Sequence, residues 1–176
     1  MTSPSKPRKA PTRWKNVPPH PSLSGTRRGL VEDQDIAGLL TQIIVGWPHF
    51  EDQMVSVFKR LLGLPPANFD GARLVFYSLV NQKIRIDVMR RLLERGWHNR
   101  DHSEEYDAII NEFAKLNELR NKYVHGLWWT HDNGDVHLQI DSSAFFSHAE
   151  YRKVTSKELQ GFIARLNALW QQLLNL

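Results

Sequence analysis

Apolar residues recur along this chain at two different spacings, and the change from one to the other marks out its elements. From Ile36 the steps are three and four residues. Leu40, Ile43, Trp47, Phe50, Met54, Phe58 and Leu61 continue a single stripe, the pattern of a helix with one buried face. Pro48 interrupts the run and is expected to kink the helix or restart it, because it removes an amide donor. The run ends at Gly63-Leu64-Pro65-Pro66. The next stretch, ARLVFYSLV at 72–80, fits a short helix or an extended segment equally by period. A helix is predicted from Leu79 to Arg95, with Ile84, Val88 and Leu92 on its core face and Gly96 at its end. Ser103 is the expected cap of the following helix, with Glu104 and Glu105 in the first turn, where the helix dipole favours acids. That helix runs to His125, and Gly126 is its expected left-handed stop.

Beyond Gly126 the period drops to two. LWWT and DVHLQI flank HDNGD, which predicts a small β-hairpin turning at Asn133-Gly134. The string TSKE at 155–158 is a capping box. It opens a last helix with Leu159, Phe162, Ile163, Leu166, Leu169, Trp170 and Leu173 as its apolar face. These elements predict an all-α protein: an up-and-down bundle of four to five helices with a small β-hairpin before the last one.

Composition changes this picture at one end. Six of the nine prolines lie in the first 21 residues, and residues 1–28 hold seven Lys and Arg with no acid. Against a chain total of +4, the remainder is net −3, so the basic character belongs to this segment. Such a segment buries too little apolar surface to offset its ordering entropy. Residues 1–30 are therefore read as a disordered basic tail, solvated or touching phosphates, and 31–176 as the folded domain. With no cysteine, disulfides, thiolate zinc sites and cysteine nucleophiles are excluded. No apolar run reaches the ~18 residues of a membrane span, and no apolar segment follows the basic start as in a secretory signal. The expected location is cytoplasmic, without membrane association.

Several polar residues fall on the apolar stripes. At about 100° per residue, Asn117 and Arg120 lie inside the stripe of Tyr106, Ile109, Phe113 and Leu116, with Asn121 and His125 along its edge. Asn81 and Arg85 fall beside Ile84 and Leu92 in the same way, and Glu51 lies between Phe50 and Val55. An unpaired buried charge costs several kcal/mol. These groups must be paired, or the stripe must open into a cleft or a subunit interface. Glu51 is expected to pair with Arg85 or Arg120 at a polar pocket. The alternative is an internal ion-pair network that only fixes helix register.

Arg120, Asn121 and His125, in the string RNKYVHG at the end of a long helix, resemble the motif of the HEPN superfamily of helical nucleotide-binding and ribonuclease domains. That motif is an Arg, a polar residue, and a His four to six residues beyond the Arg. The resemblance extends over the helical body, 31–176, and is tight only at these positions. It implies metal-independent RNA cleavage in a homodimer, without a cofactor. His125 would take the proton of a ribose 2′-OH, Arg120 would stabilise phosphoryl charge, and Asn121 would orient one of them. The products would be 2′,3′-cyclic phosphate and 5′-OH ends. Glu51, Asn81, Arg85 and Asn117 would form a supporting polar network. An antitoxin or another protein partner belongs to the same picture. Arg120 and His125 differ by about 140° around one helix, which favours a two-fold interface that brings one chain's Arg to the other's His. The accessory Tyr that RNA toxins of this family often carry two residues after the His is replaced by Leu127. Many family members are inactive binding or scaffold domains, so a non-catalytic interaction or nucleotide-binding module is the alternative.

Other candidates are weaker. His131, Asp132, Asp135 and His137 could be read as metal ligands, but the Asn-Gly turn explains the string and no metal is assigned. Trp128 and Trp129 alternate faces. One is expected in the core, and the other against the final helix or, alternatively, stacked on a base. Arg90, Arg91 and Arg95 read as a solvated face.

Overall fold

The structure is a computed structural model and describes residues 26–28, 33–96, 102–131, 133–140 and 150–176. Five α-helices are present among them: α1 (Gln34–Leu61), α2 (Phe69–Ser78), α3 (Gln82–Arg95), α4 (Ser103–His125) and α5 (Ser156–Leu174). A four-stranded antiparallel sheet runs in the order β1 (Thr26–Arg28), β2 (Leu127–His131), β3 (Val136–Ile140) and β4 (Glu150–Lys153). The helical bundle with a hairpin before its last helix is the expected architecture, with the hairpin extended by one strand on each side.

The long helix α1 touches all four other helices. Its start is fixed by Asp33, whose carboxylate accepts from the Ile36 amide at 2.9 Å. The helix runs on through Pro48 and does not restart there. Leu40, Ile43, Trp47, Phe50 and Met54 are all buried across that position, so packing on both sides outweighs the lost donor. An aromatic stack forms the centre: Trp47 lies nearly parallel to Phe113 of α4, ring centres 5.5 Å apart, and Phe50 meets both.

The ambiguous segment after Pro66 is helical, as α2, with Ala72 and Phe76 inward. The helix predicted from Leu79 begins three residues later. Asn81 caps it, accepting from the Ile84 amide at 3.0 Å. The later start comes with a different inner face. Ile86, Met89 and Leu92 are buried, Val88 is half-buried, and Ile84 is exposed. Gly96 ends it in the left-handed region, φ 66°.

Helix α4 has the predicted bounds but neither predicted cap. His102 occupies the capping position without a side-chain bond to the helix backbone. Gly126 is extended, φ −74°. Glycine is needed there for a different reason. A Cβ would come within 2.4 Å of Leu138 Cδ1 and 2.7 Å of the Lys122 carbonyl. The chain turns directly from α4 into the sheet through a space with no room for a side chain.

The hairpin turns through Gly134, φ 81°, with the His131 amide donating to the Asp135 carbonyl at 2.9 Å. The turn is thus wider than the Asn-Gly pair alone. Thr155 caps α5, accepting from the Glu158 amide at 3.3 Å, while the Glu158 carboxylate accepts from Tyr123 and Arg152. Strand β1 falls inside the segment read as tail: Thr26–Arg28 pairs with Trp129–His131, so ordered pairing begins before residue 31. Neighbouring backbone hydrogen bonds fix this short strand despite its composition. The rest of the predicted tail lies outside the described residues. No helix among the described residues is long and apolar enough to cross a membrane.

Candidate active site

Helix α4 places the three motif residues over its last two turns. Arg120 is half-buried and reaches inward. Its Cζ stands 5.9 Å from the Trp47 ring centre, and its Nη1 donates to Asn121 Oδ1 at 3.1 Å. Its Nε is closed from solvent, and among the described residues it meets no acceptor and no carboxylate forms an ion pair with the guanidinium. His125 is the last residue of α4 and is exposed. Arg120 turns toward α1 and His125 toward solvent, as their angular separation on the helix predicts.

The supporting residues assemble around Glu51. Its Oε1 accepts from the Trp47 indole at 2.6 Å and from the Gln82 amide, and its Oε2 faces Arg85 Nη1 at 3.8 Å. Arg85, not Arg120, is therefore the partner of Glu51. Arg85 also donates from Nε to the Phe76 carbonyl at 3.1 Å, and its guanidinium lies 5.1 and 5.0 Å from the Phe76 and Tyr77 ring centres. The two charged side chains are only 18% and 12% exposed, and each has several partners, the arrangement that makes a charge pair tolerable in a partly dry site. Burial first, then the carboxylates of Asp52 and Glu51, push the Tyr77 hydroxyl above its ordinary range.

Asn117 is buried, and among the described residues its Oδ1 has no partner, nor does Gln82 Oε1. Asn81 is a correction: it is a helix cap on the surface and not a member of the network. Stripe geometry assumed that α3 had already begun at that residue. Two members were not foreseen. Trp47 read as core alone, although a Trp four residues before a Glu places its indole N–H beside the carboxylate on one helix face. Gln82 reaches Glu51 from another element, and nothing local in the sequence signals that.

The histidine string resolves differently. His131 and His137 meet ring to ring, centres 4.4 Å apart, while Asp135 is bridged to Lys153 at 2.5 Å. Among the described residues no group of three or more His, Asp or Glu is placed to hold a metal ion. Burial, then His131, lowers the pKa of His137. Trp128 is the inward one of the pair, its indole donating to the Tyr123 carbonyl at 2.9 Å. Trp129 points to the other face and donates to Gln139 at 3.1 Å, so it does not pack on α5.

No protein-family model, curated protein or solved structure matches the chain.

Proposed function

We propose that the chain is a metal-independent RNA endonuclease acting in the cytoplasm as a homodimer. One observation carries this reading: a half-buried guanidinium with no carboxylate partner among the described residues stands five residues along the same helix from an exposed imidazole. A cation of that kind is free to meet an anion, and phosphate offers a planar guanidinium two oxygens.

In the proposed reaction neutral His125 takes the proton from a ribose 2′-OH. The 2′-oxygen bonds to the adjacent phosphorus, the bond from phosphorus to the 5′-oxygen breaks, and the leaving oxygen takes a proton from solvent or a second imidazole. Arg120 stabilises the charge that gathers on the phosphoryl oxygens, and Asn121 holds that guanidinium. Because Arg120 and His125 diverge on one helix, the Arg of one copy is paired with the His of another. An antitoxin or other protein partner is compatible with the same assembly.

The test is incubation of unstructured RNA with the protein in EDTA. The expected result is 2′,3′-cyclic ends that disappear in His125→Ala and Arg120→Ala while both variants stay folded. Intact RNA with the wild-type chain would exclude the reaction.

A second reading rests on the Glu51 cluster. Its carboxylate is bound from α1 and α3 together, as in a network that fixes helix register. On that reading the chain is a non-catalytic interaction or nucleotide-binding module, and Arg120→Ala would unfold it or leave every RNA-directed property unchanged.

A further inference from the structure

Helix α2 is apolar on both of its sides. Ala72 and Phe76 face the core, yet Leu74, two residues before Phe76 and so nearly opposite it on the helix, is 73% exposed. Val75 and Tyr77 are exposed as well. The pattern continues through the link to α3. Val80 is 86% exposed beside Asn81, at a turn that needs only small or polar residues, and exposed Ile84 follows in the first turn of α3. A helix that is apolar all round is normally covered on all sides.

A second group lies on α1. Ile44 and Val45 are exposed, seven residues before Glu51 and Asp52 respectively, so each pair shares a helix face at a distance of two turns. Those two carboxylates meet the corner between α2 and α3: Glu51 faces Arg85, and Asp52 holds Arg73 at 2.9 Å. Both apolar groups therefore border one side of the bundle. Of the large apolar side chains exposed among the described residues, only Leu127 and Leu174 fall outside them. The exposed area of the two groups is on the order of 600 Å², at the upper end of what a monomer shows and close to the roughly 800 Å² that each partner gives to a stable interface.

The charge around the patch points to one occupant. Arg73 and Lys83 stand beside it together with Asp52, Asp70 and Asp87, so neither sign dominates. An anionic membrane or a nucleic acid calls for an excess of cations, and a basic peptide for an excess of acids. A second copy of the same patch calls for apolar surface against apolar surface with both signs at the rim. The patch also adjoins the candidate site, since Trp47, whose ring lies under Arg120, is three residues from Ile44 on α1.

We propose that this face, centred on the corner between α2 and α3, is where two copies of the chain pair about a two-fold axis. It deepens the nuclease reading, which needs a second copy, but it rests on the apolar surface and not on RNA cleavage.

The test is sedimentation velocity of the full chain from about 1 to 100 µM. A species of two chains is expected to dominate the upper part of that range. Raising salt from about 50 to 500 mM should change the dissociation constant by less than about 3-fold, because apolar contact is not screened. Val80→Asp would set two like charges against apolar surface, and is expected to weaken pairing about 30-fold or more. Its side chain lies mostly in solvent in the single chain, so circular dichroism should show an unchanged fold. A wild-type chain that stays monomeric at about 100 µM would overturn the proposal, as would a folded Val80→Asp variant that pairs like wild type. A dimer that falls apart at high salt would also overturn it, in favour of an ionic contact elsewhere. A monomer that floats with vesicles of phosphatidylcholine and phosphatidylserine would overturn it and assign the patch to a membrane surface. Should Val80→Asp unfold, Leu74→Ser decides: several-fold weaker pairing supports the proposal and unchanged pairing overturns it. RNA cleavage by a chain that sediments as a monomer would remove the interface and leave the nuclease. Pairing with RNA left intact would do the reverse.

Discussion

The Arg120 guanidinium lies over the indole of Trp47, and the same indole donates its N–H to Glu51. One ring therefore joins the end of α4 to the charged cluster of α1 and α3. It supports Arg120 through its π face and satisfies Glu51 through its edge. Among the described residues no carboxylate neutralises the guanidinium, which a ring face and the neighbouring Asn121 hold in place.

That arrangement separates stability from activity at Arg120. Arg120→Lys keeps a positive charge but loses the planar fork and the hydrogen bond to Asn121. Among the described residues its Nε has no partner to lose. Urea denaturation is expected to show a change within about 1 kcal/mol. RNA cleavage should fall about 100-fold or more, the usual loss when one group stabilising the transition state is removed. A Lys variant that cuts at the wild-type rate would remove Arg120 from the chemistry.

Glu51 has the opposite profile. Glu51→Gln leaves Arg85 facing a neutral group in a site where the Arg side chain is 12% exposed. The expected cost is about 2 kcal/mol, below the 3–5 kcal/mol of a fully buried pair because both groups keep some solvent. Arg85→Met alone should cost a similar amount, and the double variant less than the sum. A double-mutant cycle measured by chemical denaturation gives the coupling energy. Strict additivity would mean that the 3.8 Å approach carries no interaction.

Which parts of this could be read from the sequence follows from how local each signal is. The stripe of α1, the capping box at Thr155 and the turn at Gly134 are set within a few residues, and they sit where the pattern places them. The start of α3 misled because Asn81 serves both as a polar residue on a stripe and as a cap, and the inner face is the stripe of Ile86, Met89 and Leu92, which leaves Ile84 outward. Strands β1 and β4 carry charged residues without apolar alternation, as suits sheet edges, and only pairing with β2 and β3 makes them strands. At the candidate site, Arg120, Glu51, Arg85 and Asn117 betrayed themselves by standing on apolar faces. Gln82 did not, because its partner lies 31 residues away.

A third link ties the end of α4 to the sheet and α5. The Tyr123 hydroxyl donates to Glu158 at 2.7 Å, and Arg152 donates to the same oxygen at 2.6 Å. Burial first, then the Glu158 carboxylate, push the Tyr123 pKa from 10.0 up to about 12. The folded chain thus favours the neutral phenol. The stabilisation is complete below pH 10, where the unfolded phenol is also neutral, and is lost as pH rises from 10 toward 12. Its size is of order 2 kcal/mol. Tyr123→Phe should flatten that part of the stability profile relative to wild type. Parallel losses in the two proteins over this range would show that Tyr123 does not titrate as the geometry requires.

The turn at Gly126 is the most sensitive point between helix and sheet. A glycine that ends a helix is usually explained by a positive φ, and replacing it with alanine then costs conformational strain. Here φ is −74°, a value alanine adopts freely, so that explanation predicts almost no effect. The close approach predicts something else. An alanine Cβ would meet Leu138 Cδ1 at 2.4 Å, the Lys122 carbonyl at 2.7 Å and the Gln139 carbonyl at 3.0 Å. Leu138 can change rotamer, but the two carbonyl oxygens belong to a helix and a strand and cannot move independently. Gly126→Ala is expected to destabilise the chain by about 2–3 kcal/mol, in the range of core overpacking. Combining it with Leu138→Val should recover only part of that loss, since the backbone contacts remain. Thermal and urea unfolding of the three variants measures both quantities. A neutral Gly126→Ala would mean that α4 and β3 do not approach as closely as 2.4 Å implies. Full recovery in the double variant would place the whole clash on the Leu138 side chain and none on the backbone.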